Sequence, residues 1–143
     1  QGSGLNVDKK LYVETIVNNN RRLQPVIGKT QLKVGDKVVV RLTVRLDRTM
    51  DFVQLKDQRA ACLEPVEVLS GYRNVGDVGC YVAVKDASTD FFFDTLNKGT
   101  YVLEYSYRVD RAGSYEAGIA TIQSAYAPEY AAHSASARYE VSQ

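Results

Sequence analysis

An antiparallel β-sandwich is the fold class that this sequence predicts, and three observations predict it. Side chains alternate with period 2, most clearly where Tyr101, Leu103, Tyr105, Tyr107 and Val109 face one way and Val102, Glu104, Ser106 and Arg108 the other. Leu96, Gly99 and Tyr101 match the Leu-x-x-Gly-x-Tyr pattern of a tyrosine corner, in which a buried tyrosine bonds backbone across a turn. About eight or nine short strands follow one another with a turn signal between each, the spacing of a Greek-key sandwich. The stretch from Phe91 to Val109 reads as two strands closed by a tight turn, with Gly99 where a hairpin needs positive φ.

From the start of the chain, Leu11, Val13, Thr15 and Val17 alternate with Lys10, Tyr12, Glu14 and Ile16, which predicts a first strand over Lys10 to Val17. Asn18-Asn19-Asn20, Arg21-Arg22, Pro25 and Gly28 then read as a polar connector. Val34-Gly35-Asp36 is a turn that launches the next strand, where Val38, Val40, Leu42, Val44 and Leu46 oppose Lys37, Arg41, Thr43, Arg45 and Asp47. Phe52 to Asp57 is a shorter strand with Val53 and Leu55 on one face. Ala60-Ala61-Cys62-Leu63 suits a short helical turn, which Pro65 would stop.

Gly71, Gly76 and Gly79 mark a loop, after which Val78, Cys80, Val82 and Val84 alternate. Past Val109, Arg111-Ala112-Gly113-Ser114 is a turn, and Tyr115 to Ser124 supplies a strand whose small residues allow close sheet approach. A loop carries Tyr126, Pro128 and Tyr130, and Ala135, Ala137, Tyr139 and Val141 form the last alternating strand.

Composition narrows the function classes. A chain of 143 residues fits one domain, which we place at 5–143, with Gln1-Gly2-Ser3-Gly4 read as a linker or scar. Eighteen Lys and Arg against 17 Asp and Glu give a net charge of +1, so no field favours nucleic acid or an anionic membrane. No apolar run approaches the roughly 20 residues needed to cross a bilayer. Two cysteines, Cys62 and Cys80, suit either one disulfide or two inert buried side chains. The disulfide is the reading carried forward, because the alternation puts Cys80 on an apolar face where it can meet Cys62; it implies an oxidising compartment.

Candidate chemistry is sparse. His133 is the single histidine and has no second ligand at metal spacing, and Ser134 beside it would point to the opposite face. Asp86, Ser88 and Asp90 have the 1-3-5 spacing of a calcium loop, but Phe91 stands where that loop needs Gly and Asn97 where it needs Glu. Scattered carboxylates single out no acid–base pair. Neither a metal nor a cofactor is expected, and the chain reads as no enzyme. Most of the ten tyrosines fall on alternating strand positions and read as core or half-core. Tyr126 differs, because Ala125-Tyr126-Ala127-Pro128-Glu129 is a proline-bearing loop from which an aromatic can protrude.

Several stretches in order resemble one family: Leu32-Lys33-Val34-Gly35-Asp36, Asp51-Phe52-Val53 with Leu63-Glu64-Pro65, Ser70-Gly71-Tyr72-Arg73, Phe92-Phe93-Asp94, Leu96 to Tyr101, and Ala125 to Glu129. Together they resemble the last, immunoglobulin-like macroglobulin domain of bacterial alpha-2-macroglobulins, most of all the form in large exported proteins of Bacteroidetes. That resemblance implies a non-catalytic domain of a protease-trapping inhibitor, exported to the periplasm or cell surface. Its partners would be neighbouring domains of the same chain, above all a helical thioester-type domain, and through the parent a target protease. Tyr126, with Pro128 and Glu129, would form the loop that shields the thioester from water. Ala125 stands where many members carry Met, which implies a smaller shield or a parent without a thioester. The other reading of the residues is a binding or adhesion module of a large cell-envelope protein.

Overall fold

The computed structural model describes residues 4–26, 31–66, 70–75, 78–126, 131–135 and 137–143. Every regular element among them is a strand, and three sheets result.

The five-stranded sheet has the order β2-β1-β4-β10-β6, built from β1 (Leu5–Val17), β2 (Asn20–Pro25), β4 (Lys37–Leu46), β6 (Leu63–Pro65) and β10 (Gly99–Val109). The six-stranded sheet runs β13-β12-β5-β9-β8-β7, from β5 (Met50–Gln58), β7 (Gly71–Val75), β8 (Val78–Val84), β9 (Ser88–Leu96), β12 (Ala120–Ser124) and β13 (Ala131–His133). A smaller sheet joins β11 (Gly113–Ala117), β14 (Ala137–Ser142) and β3 (Gln31–Lys33), with β14 and β3 parallel and Leu32 opposite Val141. All other pairings are antiparallel.

Alternation explains the core. On β4 the even-numbered Val38 to Leu46 are buried, and Leu103, Tyr107 and Val109 of β10 join them from the neighbouring strand. Val53 and Leu55 of β5, Phe91 and Phe93 of β9, Val82 of β8 and Ile122 of β12 belong to the same apolar cluster. Each buried aliphatic or aromatic side chain contributes about 1.5–3 kcal/mol relative to staying in water.

Several expectations change. Phe91 to Val109 is no hairpin: β9 pairs with β5 and β8, whereas β10 pairs with β4 and β6, so the chain crosses between sheets at Asn97-Lys98. Turn residues alone do not distinguish a hairpin from such a corner, because the partner strands are distant in sequence. The polar connector is in part the strand β2, since Asn18 and Asn19 have φ of 54° and 65° and close a two-residue hairpin onto β1. Left-handed Asn pairs suit this turn, and a solvent-facing edge strand needs no apolar alternation.

Gly71 to Val75 is likewise a strand and not a loop, and Tyr115 to Ser124 is divided between β11 and β12 in different sheets. Gly118 lies at that break, where an added Cβ would come within 2.3 Å of the Gln58 carbonyl oxygen. The helical turn at Ala60 to Leu63 is a single hydrogen-bonded turn, Leu63 N–H to Ala60 O at 3.0 Å.

Candidate functional site

Among the described residues, a buried charge between the sheets concentrates polar side chains, and an exposed tip presents aromatic ones.

Asp57, next to last in β5, is on the same face as Val53 and Leu55, and so points into the core. Lys9 shares the inward face of β1 with Val7 and Leu11. Lys9 Nζ lies 2.6 Å from Asp57 Oδ1, with the two side chains 7% and 0% exposed. The ammonium also donates to the carbonyls of Gly118 at 2.9 Å and Gln58 at 3.1 Å, so all three of its hydrogens are used. Asp57 Oδ2 accepts from the Tyr105 hydroxyl and, at 3.3 Å, from that of Tyr107. Thr89 Oγ1 is 2.9 Å from the Tyr107 hydroxyl, and Arg59 Nη1 donates to Thr89 at 2.9 Å.

Burial first, and then the negative field of Asp57, pushes the Tyr105 and Tyr107 hydroxyls above the usual phenol range. These tyrosines are therefore neutral donors to a charged acceptor. The cluster ties β1, β5, β9 and β10 together, and its Thr89, Tyr105 and Tyr107 line a depression of about 290 Å³ with Val75, Val82 and Phe91. Sequence reading missed it, although the parity of Asp57 with Val53 and Leu55, and of Lys9 with Val7 and Leu11, was the signal.

At the other place, Tyr126 follows β12 and is 78% exposed. The Ala125 N–H donates to the Phe52 carbonyl at 2.9 Å, and the Tyr126 and Phe52 rings meet edge to face, centroids 5.0 Å apart at 75°. Phe52 is itself 47% exposed and has φ of 55°. For a bulky residue the left-handed region is a true outlier and costs on the order of 1–3 kcal/mol, an expense typical of functional sites. Pro128 and Glu129 lie outside the described residues, as does Tyr130.

The remaining expected residues are placed as follows. The Tyr101 hydroxyl donates to the Asn97 carbonyl at 2.8 Å, while Leu96 is buried and Gly99 has φ of 150° at the crossing between sheets. Tyr101 itself is half-buried. Cys62 and Cys80 are both buried, and no disulfide joins them in this structure. Each instead packs as a small apolar side chain, Cys62 just before β6 and Cys80 on β8 of the other sheet. Burial pushes the Cys62 thiol up.

Ser88 and Asp90 are buried and bonded to each other at 3.0 Å, and Lys85 Nζ reaches Asp90 at 2.9 Å. His133 is exposed, its Nδ1 3.0 Å from the Ser134 carbonyl oxygen. Among the described residues no three His, Cys, Asp or Glu side chains are grouped to hold a metal.

A family model described as the bacterial alpha-2-macroglobulin MG10 domain matches residues 4–129. The chain belongs to that family. Solved structures agree on the fold. A tyrosine-to-glycine mutant of Salmonella alpha-2-macroglobulin is 20% identical with a TM-score of 0.75, and covers 98% of this chain and 9% of its own. The Salmonella protein reacted with methylamine gives 21% identity, a TM-score of 0.74 and the same 98% and 9%. Native Escherichia coli alpha-2-macroglobulin from MG7 to the C-terminus gives 15%, 0.73, 98% and 24%. A comparison with curated proteins found no match. This macroglobulin domain thus spans between about a tenth and a quarter of the solved chains that it matches.

Proposed function

We propose that this domain is a non-catalytic packing and shielding module of an alpha-2-macroglobulin-like protease-trapping protein, exported to the periplasm or cell surface. Its Tyr126 tip covers a reactive acyl group in a neighbouring thioester-type domain of the same chain. One observation carries the reading: Tyr126 is presented to solvent on a base that the fold strains to build, with Phe52 held left-handed beneath it. An isolated domain has no use for two exposed aromatic rings supported at such cost.

The chemistry follows from the side chains. A thioester is lost when water reaches its carbonyl, and a phenol ring placed over it excludes water without offering a strong nucleophile. Phe52 supplies from β5 the apolar bulk that Ala125 lacks. The Salmonella relative is described as reacted with methylamine, which supports this reading.

The test is Tyr126→Ala in the full-length parent, following methylamine-reactive thioester over time. Faster loss of reactivity is expected, with Phe52→Ala giving a smaller effect in the same direction. An unchanged rate for Tyr126→Ala overturns the shielding role.

A further inference from the structure

Tyr72 is 83% exposed, more than Tyr126, and the function just proposed gives it nothing to do. It belongs to Ser70-Gly71-Tyr72-Arg73, where Ser70 Oγ accepts the Val84 N–H at 3.0 Å and ties the start of β7 to β8. From Tyr72 an aromatic row crosses the outer face of the six-stranded sheet. Tyr72 pairs with Tyr81 on β8, centroids 4.9 Å apart at 72°. Tyr81 pairs with Phe92 on β9, 6.3 Å apart at 48°. Phe92 stands opposite Gln54, and Phe52 lies two residues earlier than Gln54 on β5. Phe52 then meets Tyr126. Four strand spacings separate β7 from β12, so the row is about 19 Å long.

We propose that this row is one continuous interdomain docking surface, and that what covers it is a neighbouring domain of the same polypeptide. The inference rests on the reading of Tyr126 given above and extends it to the far edge of the sheet. Ring geometry favours a protein occupant. Neighbouring rings meet edge-on or tilted, so they offer corners and slots, whereas a sugar stacks on the flat face of a ring. Tyrosines in such settings are the residues that most often carry interface energy.

Relative length favours a partner in the same chain. The Salmonella chain is more than ten times as long as the part this domain covers, so a domain of this family has much of its own polypeptide to pack against. Charge narrows the occupant further. The exposed Asp94 flanks the row on the same face as Phe92, and Asp94 and Thr95 join Tyr72, Tyr81 and Phe92 in lining a depression of about 460 Å³. The docking surface opposite therefore carries an apolar knob flanked by a Lys or Arg.

Hydroxyl-radical labelling of the full-length wild-type chain, read by mass spectrometry, tests this without any variant. Tyr72 and Tyr126 should both be labelled as slowly as the buried Tyr107. Labelling of Tyr72 at a surface rate while Tyr126 stays protected overturns the extended surface and leaves the shielding role standing. Surface rates at both positions overturn the two together. Protection of Tyr72 that appears only on adding an oligosaccharide also overturns it, in favour of a sugar site. In addition, Tyr72→Ser should raise proteolytic opening of this domain from its neighbour about thirtyfold, the effect of a hot spot of roughly 2 kcal/mol. Tyr72→Phe should restore the wild-type rate; no change for Tyr72→Ser refutes a docking role.

Discussion

Lys9 and Asp57 form an ion pair at 2.6 Å that joins the two large sheets through the core. Asp57 also anchors two tyrosine hydroxyls, so removing one charge strands the other among apolar neighbours. Lys9→Met should cost about 3–5 kcal/mol in urea unfolding, the penalty of an unpaired buried charge. Lys9→Met with Asp57→Asn should recover part of that loss, because a neutral Asn keeps an acceptor for both tyrosines. If the double variant is as unstable as the single one, charge is not the cause.

The same cluster predicts a response to alkali. Tyr105, Tyr107 and Tyr139 have their pKa values raised by burial, then by Asp57. The folded state then holds protons that the unfolded chain gives up from about pH 10. Stability from these groups is complete below that value and is lost as pH rises toward the folded values. Phenolate absorbance should show a late-titrating fraction of the ten tyrosines, appearing together with unfolding. Tyr105→Phe and Tyr107→Phe should remove part of that fraction.

Phe93 and Leu103 lie in opposite sheets and are 5% and 1% exposed. Phe93→Ala and Leu103→Ala should each destabilise the fold by about 2–5 kcal/mol. Ile16, 63% exposed near the β1–β2 hairpin, should tolerate Ser within about 0.5 kcal/mol. Chemical denaturation of all three orders them, and a cost at Ile16 as large as at Leu103 would contradict this packing.

Cys62 and Cys80 should both react with a thiol reagent once the chain is unfolded without reductant, and both should react slowly while it is folded. Buried thiols meet reagent only through opening of the fold. Protein prepared under oxidising conditions that showed no thiol after unfolding would restore the bridge.

Sequence pattern made the central strands legible because their alternation is itself the cause of burial. β4 follows it apart from the buried Val39, and β10 buries Leu103, Tyr107 and Val109 on the expected face. β2 and β7 escaped notice, since an edge strand with little inward surface has no apolar signature, and Gly71, with Gly76 and Gly79 close behind it in sequence, resembles a loop. The corner at Gly99 looked like a hairpin because the partners that decide the matter, β4 and β5, lie 30 to 71 residues away in sequence. Asp57 and Lys9 were hidden by their charge, which reads as surface until the facing strand is known. Tyr126 was noticed from its proline-bearing loop, whereas the rings that continue from it depend on cross-strand register and could not be seen in one dimension.

The parallel pairing of β3 with β14 sets an order of events. Leu32 is fully buried, and its strand partner is Val141, with the Val34 N–H bonded to the Ser142 carbonyl at 2.9 Å. A growing chain makes residue 32 long before residue 141, and at 5–20 residues per second the wait is roughly 5–20 s. For that interval the third sheet cannot close, whatever the strength of the rest. A chain bound for another compartment would have this window in which to leave its site of synthesis still open, and would finish folding on arrival.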